Sequence, residues 1–239
     1  NTYAQQMKRL PDKYKIIGVA DPIKERRDTI KHMHNLSDDD CYENWEEIFS
    51  KPKFADIAVI ATMDNMHYAP AMKAIELGYN LLLEQPVAQT AKECNDIAIA
   101  AKIHNVEVLV CHVLRYTPFY TAIKQLLLDD AIGDVMSVVA VEGVGHIHHS
   151  HSYTRGDWHR EDETTPMLLA KCCHDLDIIQ WLLGKKCKKV SSFGELTHFT
   201  SENAPEGAPK RCVDSACPAE STCPYHYKKV YLSEDSVPW

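Results

Sequence analysis

The sequence predicts an α/β protein: a doubly wound, Rossmann-type parallel sheet that lacks its first strand, followed by a second α+β domain. Three observations predict it. Strand-like and helix-like segments alternate four or five times between residues 14 and 111, with short connections. One strand, Ala55–Ala61, is a near-continuous apolar run, the mark of a strand covered on both faces. After Arg115-Tyr116-Thr117-Pro118-Phe119 the alternation stops and longer polar connections take over. The boundary falls near residue 113, giving domains 1–113 and 114–239.

Residues 3–10 place Tyr3, Met7 and Leu10 on one helical face, and Pro11-Asp12 ends that helix. Tyr14–Ala20 reads as a buried strand stopped by Asp21-Pro22. An acidic residue at such a strand end hydrogen-bonds the adenosine ribose in a dinucleotide fold. Asp before Pro is also an ordinary helix entry, here for a helix over 22–34, and both roles are compatible. Asn44 caps a helix over 45–50. The strand ending at Ala61-Thr62 leads into a helix over 66–78, closed by Gly78.

Next comes Asn80-Leu81-Leu82-Leu83-Glu84-Gln85-Pro86, an apolar run ending in a polar, proline-fixed turn. Ligands of parallel α/β sheets lie at the carboxyl ends of strands. Glu84, Gln85 and Pro86 therefore stand where a cofactor would bind. A helix from Thr90 to His104 and a strand over 107–111 complete the alternation. A dinucleotide fold opens with a strand and a Gly-x-Gly-x-x-Gly turn. Here no such turn exists, and the first element is a helix. The chain reads as an internal piece of a longer protein or a truncated relative.

In the second domain, a helix to about Asp129 precedes a long strand, 135–144, and a further strand spans 190–199. Between them, 145–160 reads as a loop with five histidines, Tyr153, Arg155 and Trp158. The histidine spacing fits no zinc signature; aromatic faces and planar donors suit a polyol better. The helix 165–183 is largely apolar, with Lys171, His174, Asp175 and Asp177 in its middle. Lys171 and His174 share a face, as do His174 and Asp177. Polar groups in a buried helix need partners or a task. Cys212, Cys217, Cys223 and His226 are too loosely spaced for a standard zinc site. They are expected to be reduced and metal-free.

With nine cysteines, an odd number, the chain suits a reducing, cytoplasmic compartment. A net charge of −8 gives nucleic acid and acidic membranes no electrostatic support. No apolar run reaches the ~20 residues that span a bilayer.

Taken together, Val19-Ala20-Asp21-Pro22, Ala61-Thr62, Leu83-Glu84-Gln85-Pro86, Arg115-Tyr116-Thr117-Pro118 and the helix carrying His174 and Asp177 resemble the glucose–fructose oxidoreductase/inositol dehydrogenase family of NAD(P)-dependent enzymes. The resemblance implies a nicotinamide cofactor bound by the first domain. It also implies a second domain built on an open, mostly antiparallel sheet that supports a homo-oligomer. Asp21, Ala61, Thr62, Glu84, Gln85, Pro86 and Arg115 would serve the cofactor, with NAD favoured over NADP by Asp21. His174 would act as base with Lys171 beside it, and Tyr153, Arg155, Trp158 and Asp177 would line the substrate side. The expected reaction is hydride transfer with a secondary alcohol of a sugar, polyol or glycoside. Three departures keep alternatives open, the first being the absent glycine turn. The family's Glu-Lys-Pro reads Glu84-Gln85-Pro86, and its Asp-x-Gly-x-His reads Ala170–His174 with no Asp. The alternatives are a glycoside hydrolase using transient oxidation by NAD, and a non-catalytic truncated relative.

Overall fold

The computed structural model describes residues 2–233. The chain forms two compact units, dividing between His112 and Val113.

The first unit alternates as its sequence pattern demands. Its elements are α1 (Thr2–Lys8), β1 (Val19–Ala20), α2 (Lys24–His34), β2 (Cys41–Tyr42), α3 (Trp45–Phe49), β3 (Ile57–Ile60), α4 (Tyr68–Glu76), β4 (Asn80–Leu83), α5 (Ala91–His104) and β5 (Val108–Val110). All ladders are parallel: β1 pairs with β2, and β4 lies between β3 and β5. In the 3-2-1-4-5-6 order of a dinucleotide fold the first strand lies between these two ladders.

The expected strand over 14–20 is reduced to Val19–Ala20, because the two residues of β2 are all the ladder it meets. Helix ends follow their caps. Thr90 and Glu93 form a reciprocal capping box at the start of α5, and Asn105 closes it in the left-handed region at φ 53°. Asn44 accepts from Glu47 N–H to start α3.

One face of β3–β4–β5 is the core. Ile60, Leu81 and Leu83 bury against Ala71, Ala74 and Ile75 of α4 and Ile97, Ala100 and Ala101 of α5. Burial on both faces, expected from the apolar run at 55–61, does not hold. Ile57 is 50% exposed and Leu109 53%, so the opposite face lies largely open. Continuous hydrophobicity marked the strand and said nothing of which face acquires a cover.

The second unit is helical: α6 (Pro118–Leu128), α7 (His146–His148) continuing into a π-helical turn (His149–Arg155), α8 (Met167–Leu183) and α9 (Tyr227–Tyr231). Lys124 of α6 donates to the Trp181 and Leu182 carbonyls at the carboxyl end of α8, where a cation suits the helix dipole.

Three expectations are corrected here. Among the described residues this unit contains no strand, so the expected antiparallel sheet does not form. Segments 135–144 and 190–199, expected as strands, have no ladder partners among the described residues and leave Val139, Val141 and Phe193 exposed. Segment 145–160 is not a loop but is half helical, and its bonding does not follow the 3.6-residue period. Gly156 follows the turn, and a Cβ there would lie 2.6 Å from the His151 carbonyl, so the position excludes a side chain. Finally, α8 is not deeply buried. Ala170 and Ile178 are its buried residues, while Leu168 and Leu176 are exposed.

Candidate functional site

At the carboxyl edge of β3–β4–β5, the backbone runs straight from the ladder into polar turns. Glu84 N–H still bonds the Ile60 carbonyl at 2.9 Å, and Cys111 N–H bonds the Leu83 carbonyl at 2.9 Å. The next residues are Gln85 and Pro86, joined by a cis peptide bond. Ala61 and Thr62 follow β3. Thr62 Oγ1 donates to the Met66 carbonyl at 3.0 Å, which folds the turn back on itself. Thus Ala61, Thr62, Glu84, Gln85 and Pro86 share one sheet edge, by virtue of the parallel register.

Glu84 is tied into the chain. Its Oε1 accepts from the Tyr3 hydroxyl at 2.5 Å and its Oε2 from Gln85 N–H at 3.1 Å, so both oxygens serve the chain itself. The Tyr3 phenol is held well above its usual range, chiefly by burial and then by hydrogen bonds to Cys111 and Glu84. It therefore remains a donor at any working pH. Burial likewise raises the Cys111 thiol.

Asp21 ends β1. Its Oδ1 accepts Ile23 N–H at 2.8 Å, and Arg27 donates to its carbonyl at 2.5 Å. The carboxylate caps the entry to α2 and, with about four lone-pair sites, keeps capacity for further donors such as ribose hydroxyls.

In the second unit, Arg115 and Asp177 meet each other. Arg115 Nε donates to Asp177 Oδ2 at 2.6 Å and Nη2 donates to Oδ1, a forked ion pair. Assigned by sequence to cofactor and substrate, the two groups are used here to tie the turn at 113–116 to α8. The carboxylate raises the guanidinium's already high pKa.

Lys171 and His174 are half-buried on α8. The His148 imidazole is held below its ordinary value, first by burial and then by the Lys171 charge. Cys173, next to His174, is pushed up to about 11 by burial.

Tyr153 and Trp158 join an aromatic cluster. Tyr153 packs on His148 at 6.2 Å and on Trp158 at 6.4 Å, and His149 stacks on Phe199 at 5.5 Å and 7°. Arg155 donates to the Tyr225 carbonyl, pinning the π-helical turn to the chain's later segment. All nine cysteines are free thiols. Among the described residues, no group of three or more His, Cys, Asp or Glu is arranged to hold a metal, and no helix is long and apolar enough to cross a membrane.

Sequence reasoning passed over His67. It is 1% exposed, and its Nδ1 lies 2.8 Å from the Pro86 carbonyl and Nε2 3.1 Å from the Thr62 carbonyl. A histidine just after a polar turn was the available signal, and periodicity gives it no distinction.

Residues 1–112 match the model of an oxidoreductase family with an NAD-binding Rossmann fold, and residues 120–216 match the Gfo/Idh/MocA C-terminal domain. The chain belongs to the Gfo/Idh/MocA family. The Bacillus subtilis (strain 168) protein YteT, named as an oxidoreductase, is 27% identical over 92% of this chain and 52% of its own length. A 2,7-anhydro-N-acetylneuraminate hydratase of Mediterraneibacter gnavus is 25% identical over 75% of this chain and 46% of its own. The WlbA dehydrogenase of Bordetella pertussis, solved with NADH and UDP-GlcNAcA, superposes with TM-score 0.62 at 16% identity, covering 75% of this chain and 51% of that one. The chain thus spans about half the length of the curated relatives it matches.

The residues at the strand ends fit part of a dinucleotide: Asp21 suits the ribose, and Thr62 and Gln85 present neutral polar groups. The glycine turn that cradles the pyrophosphate is not in this sequence.

Proposed function

We propose that the chain serves an NAD(P)-dependent oxidoreductase, NAD favoured, that moves a hydride to or from a secondary alcohol of a sugar, polyol or glycoside. The observation that carries this reading is the polar edge of a parallel ladder, with Thr62, Gln85 and Pro86 together, in a family whose first domain binds NAD. The bound cofactor supplies the hydride acceptor or donor.

The chain's own residues have separable tasks. Asp21 receives ribose hydroxyls and repels a 2′-phosphate. Gln85 orients by hydrogen bonding and moves no proton. His174 takes the hydroxyl proton, and Lys171 stabilises the developing alkoxide. Tyr153 and Trp158 give apolar faces for a sugar ring. Arg115 and Asp177, satisfied by each other, position the elements that carry the site.

A second reading uses the same groups without net oxidation: transient oxidation acidifies the neighbouring carbon and allows elimination or hydration. The similarity to a hydratase favours keeping it. Incubating the full-length protein with candidate glycosides and trace NAD, and following both absorbance at the NADH band and product release, separates the two. In either case His174→Ala should lower turnover about 10²–10⁴-fold, the usual worth of a general base, with NADH affinity barely changed. Lys171→Met should lower turnover without unfolding. Intact turnover with a sharply lower melting temperature would make His174 a packing residue. Absence of NADH binding by calorimetry in the full-length protein would leave the non-catalytic alternative.

A further inference from the structure

The carboxyl end of β4 is held by two side chains that the proposed chemistry does not use. Tyr3 reaches Glu84 from 81 residues away in sequence, at 2.5 Å. Glu84 in turn receives Gln85 N–H, so the phenol fixes the residue that fixes the turn. On the far side of Gln85, the buried His67 ring touches the Pro86 carbonyl at 2.8 Å and the Thr62 carbonyl at 3.1 Å. One ring thereby spans the turns that follow β3 and β4. A neutral imidazole carries one N–H, so the ring donates to one of these carbonyls at a time while packing against both. Here each ring nitrogen faces a main-chain acceptor, and the two acceptors belong to the two turns of the candidate site.

We propose that Tyr3 and His67 are positioning residues that clamp the Glu84-Gln85-Pro86 turn from both ends and so present the Gln85 carboxamide in one fixed orientation. The inference rests on the dinucleotide reading for its purpose, though not for its geometry. Its logic follows from the chemistry of Gln85. A carboxamide moves no proton, so whatever Gln85 contributes comes from placement, and misplacement by about 1 Å can cost on the order of 10²-fold in rate. Tyr3 is suited to this because burial and its neighbours keep it protonated. His67 is suited because a ring closed in on both sides has no rotamer freedom left to lose.

Tyr3→Phe removes one hydroxyl, His67→Gln keeps one donor, and His67→Leu removes both contacts. In the full-length protein, backbone hydrogen exchange read by mass spectrometry should rise about five- to tenfold over 84–90 in Tyr3→Phe, the worth of one lost hydrogen bond. It should rise over both 62–67 and 84–90 in His67→Leu, with partial rescue in His67→Gln. Peptides over 97–104 of α5 should stay at the wild-type rate. Exchange over 84–90 within about twofold of wild type in Tyr3→Phe overturns the clamp, as does a uniform rise along the chain, which marks a general loss of stability. If His67→Leu does not fold, Tyr3→Phe and His67→Gln decide by the same readout.

A double-mutant cycle on NADH affinity tests the purpose. If Tyr3 acts through Gln85, Gln85→Ala should cost less in the Tyr3→Phe background than in wild type, and strict additivity refutes this. A wild-type protein that binds no NADH defeats the dinucleotide reading alone, and the exchange measurement still decides the clamp.

Discussion

Breaking the Arg115–Asp177 pair tests how the second unit is built and whether either group is left for a ligand. Arg115 offers two nitrogens to two oxygens, with Nε–Oδ2 at 2.6 Å and side chains 37% and 11% exposed. Solvent-exposed ion pairs are worth about 0.2–1 kcal/mol, and stripping one partner from a fully buried pair costs about 3–5 kcal/mol. This pair lies between, with the carboxylate the more buried member. We expect Asp177→Asn to destabilise by about 1–2 kcal/mol, since one guanidinium nitrogen then faces an NH2 group. Arg115→Lys keeps the charge and loses the fork, so it should cost about 1 kcal/mol. For a chain of this size such losses lower Tm by roughly 2–8 °C. Urea unfolding of both single variants and the double should give a coupling energy approaching about 1 kcal/mol, reduced but not abolished in 1 M salt. Coupling within about 0.3 kcal/mol of zero would refute the argument that the fork holds α8 to the turn at 113–116. If Arg115→Lys instead left stability unchanged and weakened NADH binding tenfold, Arg115 would be a ligand, as its sequence context suggests.

Three more outcomes follow from local geometry. Thr90→Ala removes the capping box of α5 and should cost about 1 kcal/mol in denaturant unfolding, with little cost for Thr90→Ser. Thiol labelling at pH 8 should mark exposed Cys187 first and leave Cys111 and Cys173 last, because burial raises both of the latter; early labelling of Cys173 would contradict its placement. His148 is held below its ordinary pKa, so the folded state favours the neutral ring. Its contribution is complete above about pH 6.5 and is lost as pH falls through that value toward the folded pKa. His148→Phe should flatten the acid side of the stability curve there, and an unchanged slope would refute the assignment.

What could be read from the sequence was local. The run to Leu83, the cap at Thr90 and the αL closure after His104 are each dictated by residues within a few positions, and each formed as the pattern requires. What could not be read depends on partners. Residues 135–144 are rich in valine, which suits a strand, but composition does not say whether a neighbouring strand is present to receive the ladder. The turn at 149–155 reads as a loop in sequence because π-helical bonding has no apolar period of its own. His67 makes sense only with carbonyls 5 and 19 residues away, and Tyr3 only with a carboxylate 81 residues away. Arg115 and Asp177 lie 62 residues apart, and nothing in the sequence shows that they meet.

The replacement of lysine by Gln85 has a consequence for where acid–base chemistry can reside. At the β3–β4 edge, Thr62 and Gln85 are neutral, Glu84 is engaged on both oxygens, and Tyr3 is held as a donor. This edge is equipped to orient a ligand and poorly equipped to exchange a proton with one. The second unit shows the opposite bias. Burial and then the Lys171 charge hold the His148 imidazole below its ordinary pKa, and Lys171 and His174 stand one helical turn apart on α8. A cation that depresses an imidazole's pKa favours the form able to accept a proton near neutral pH. On the proposed function, orientation falls to Thr62 and Gln85 of the first unit, and proton exchange falls to His174 and Lys171 of the second.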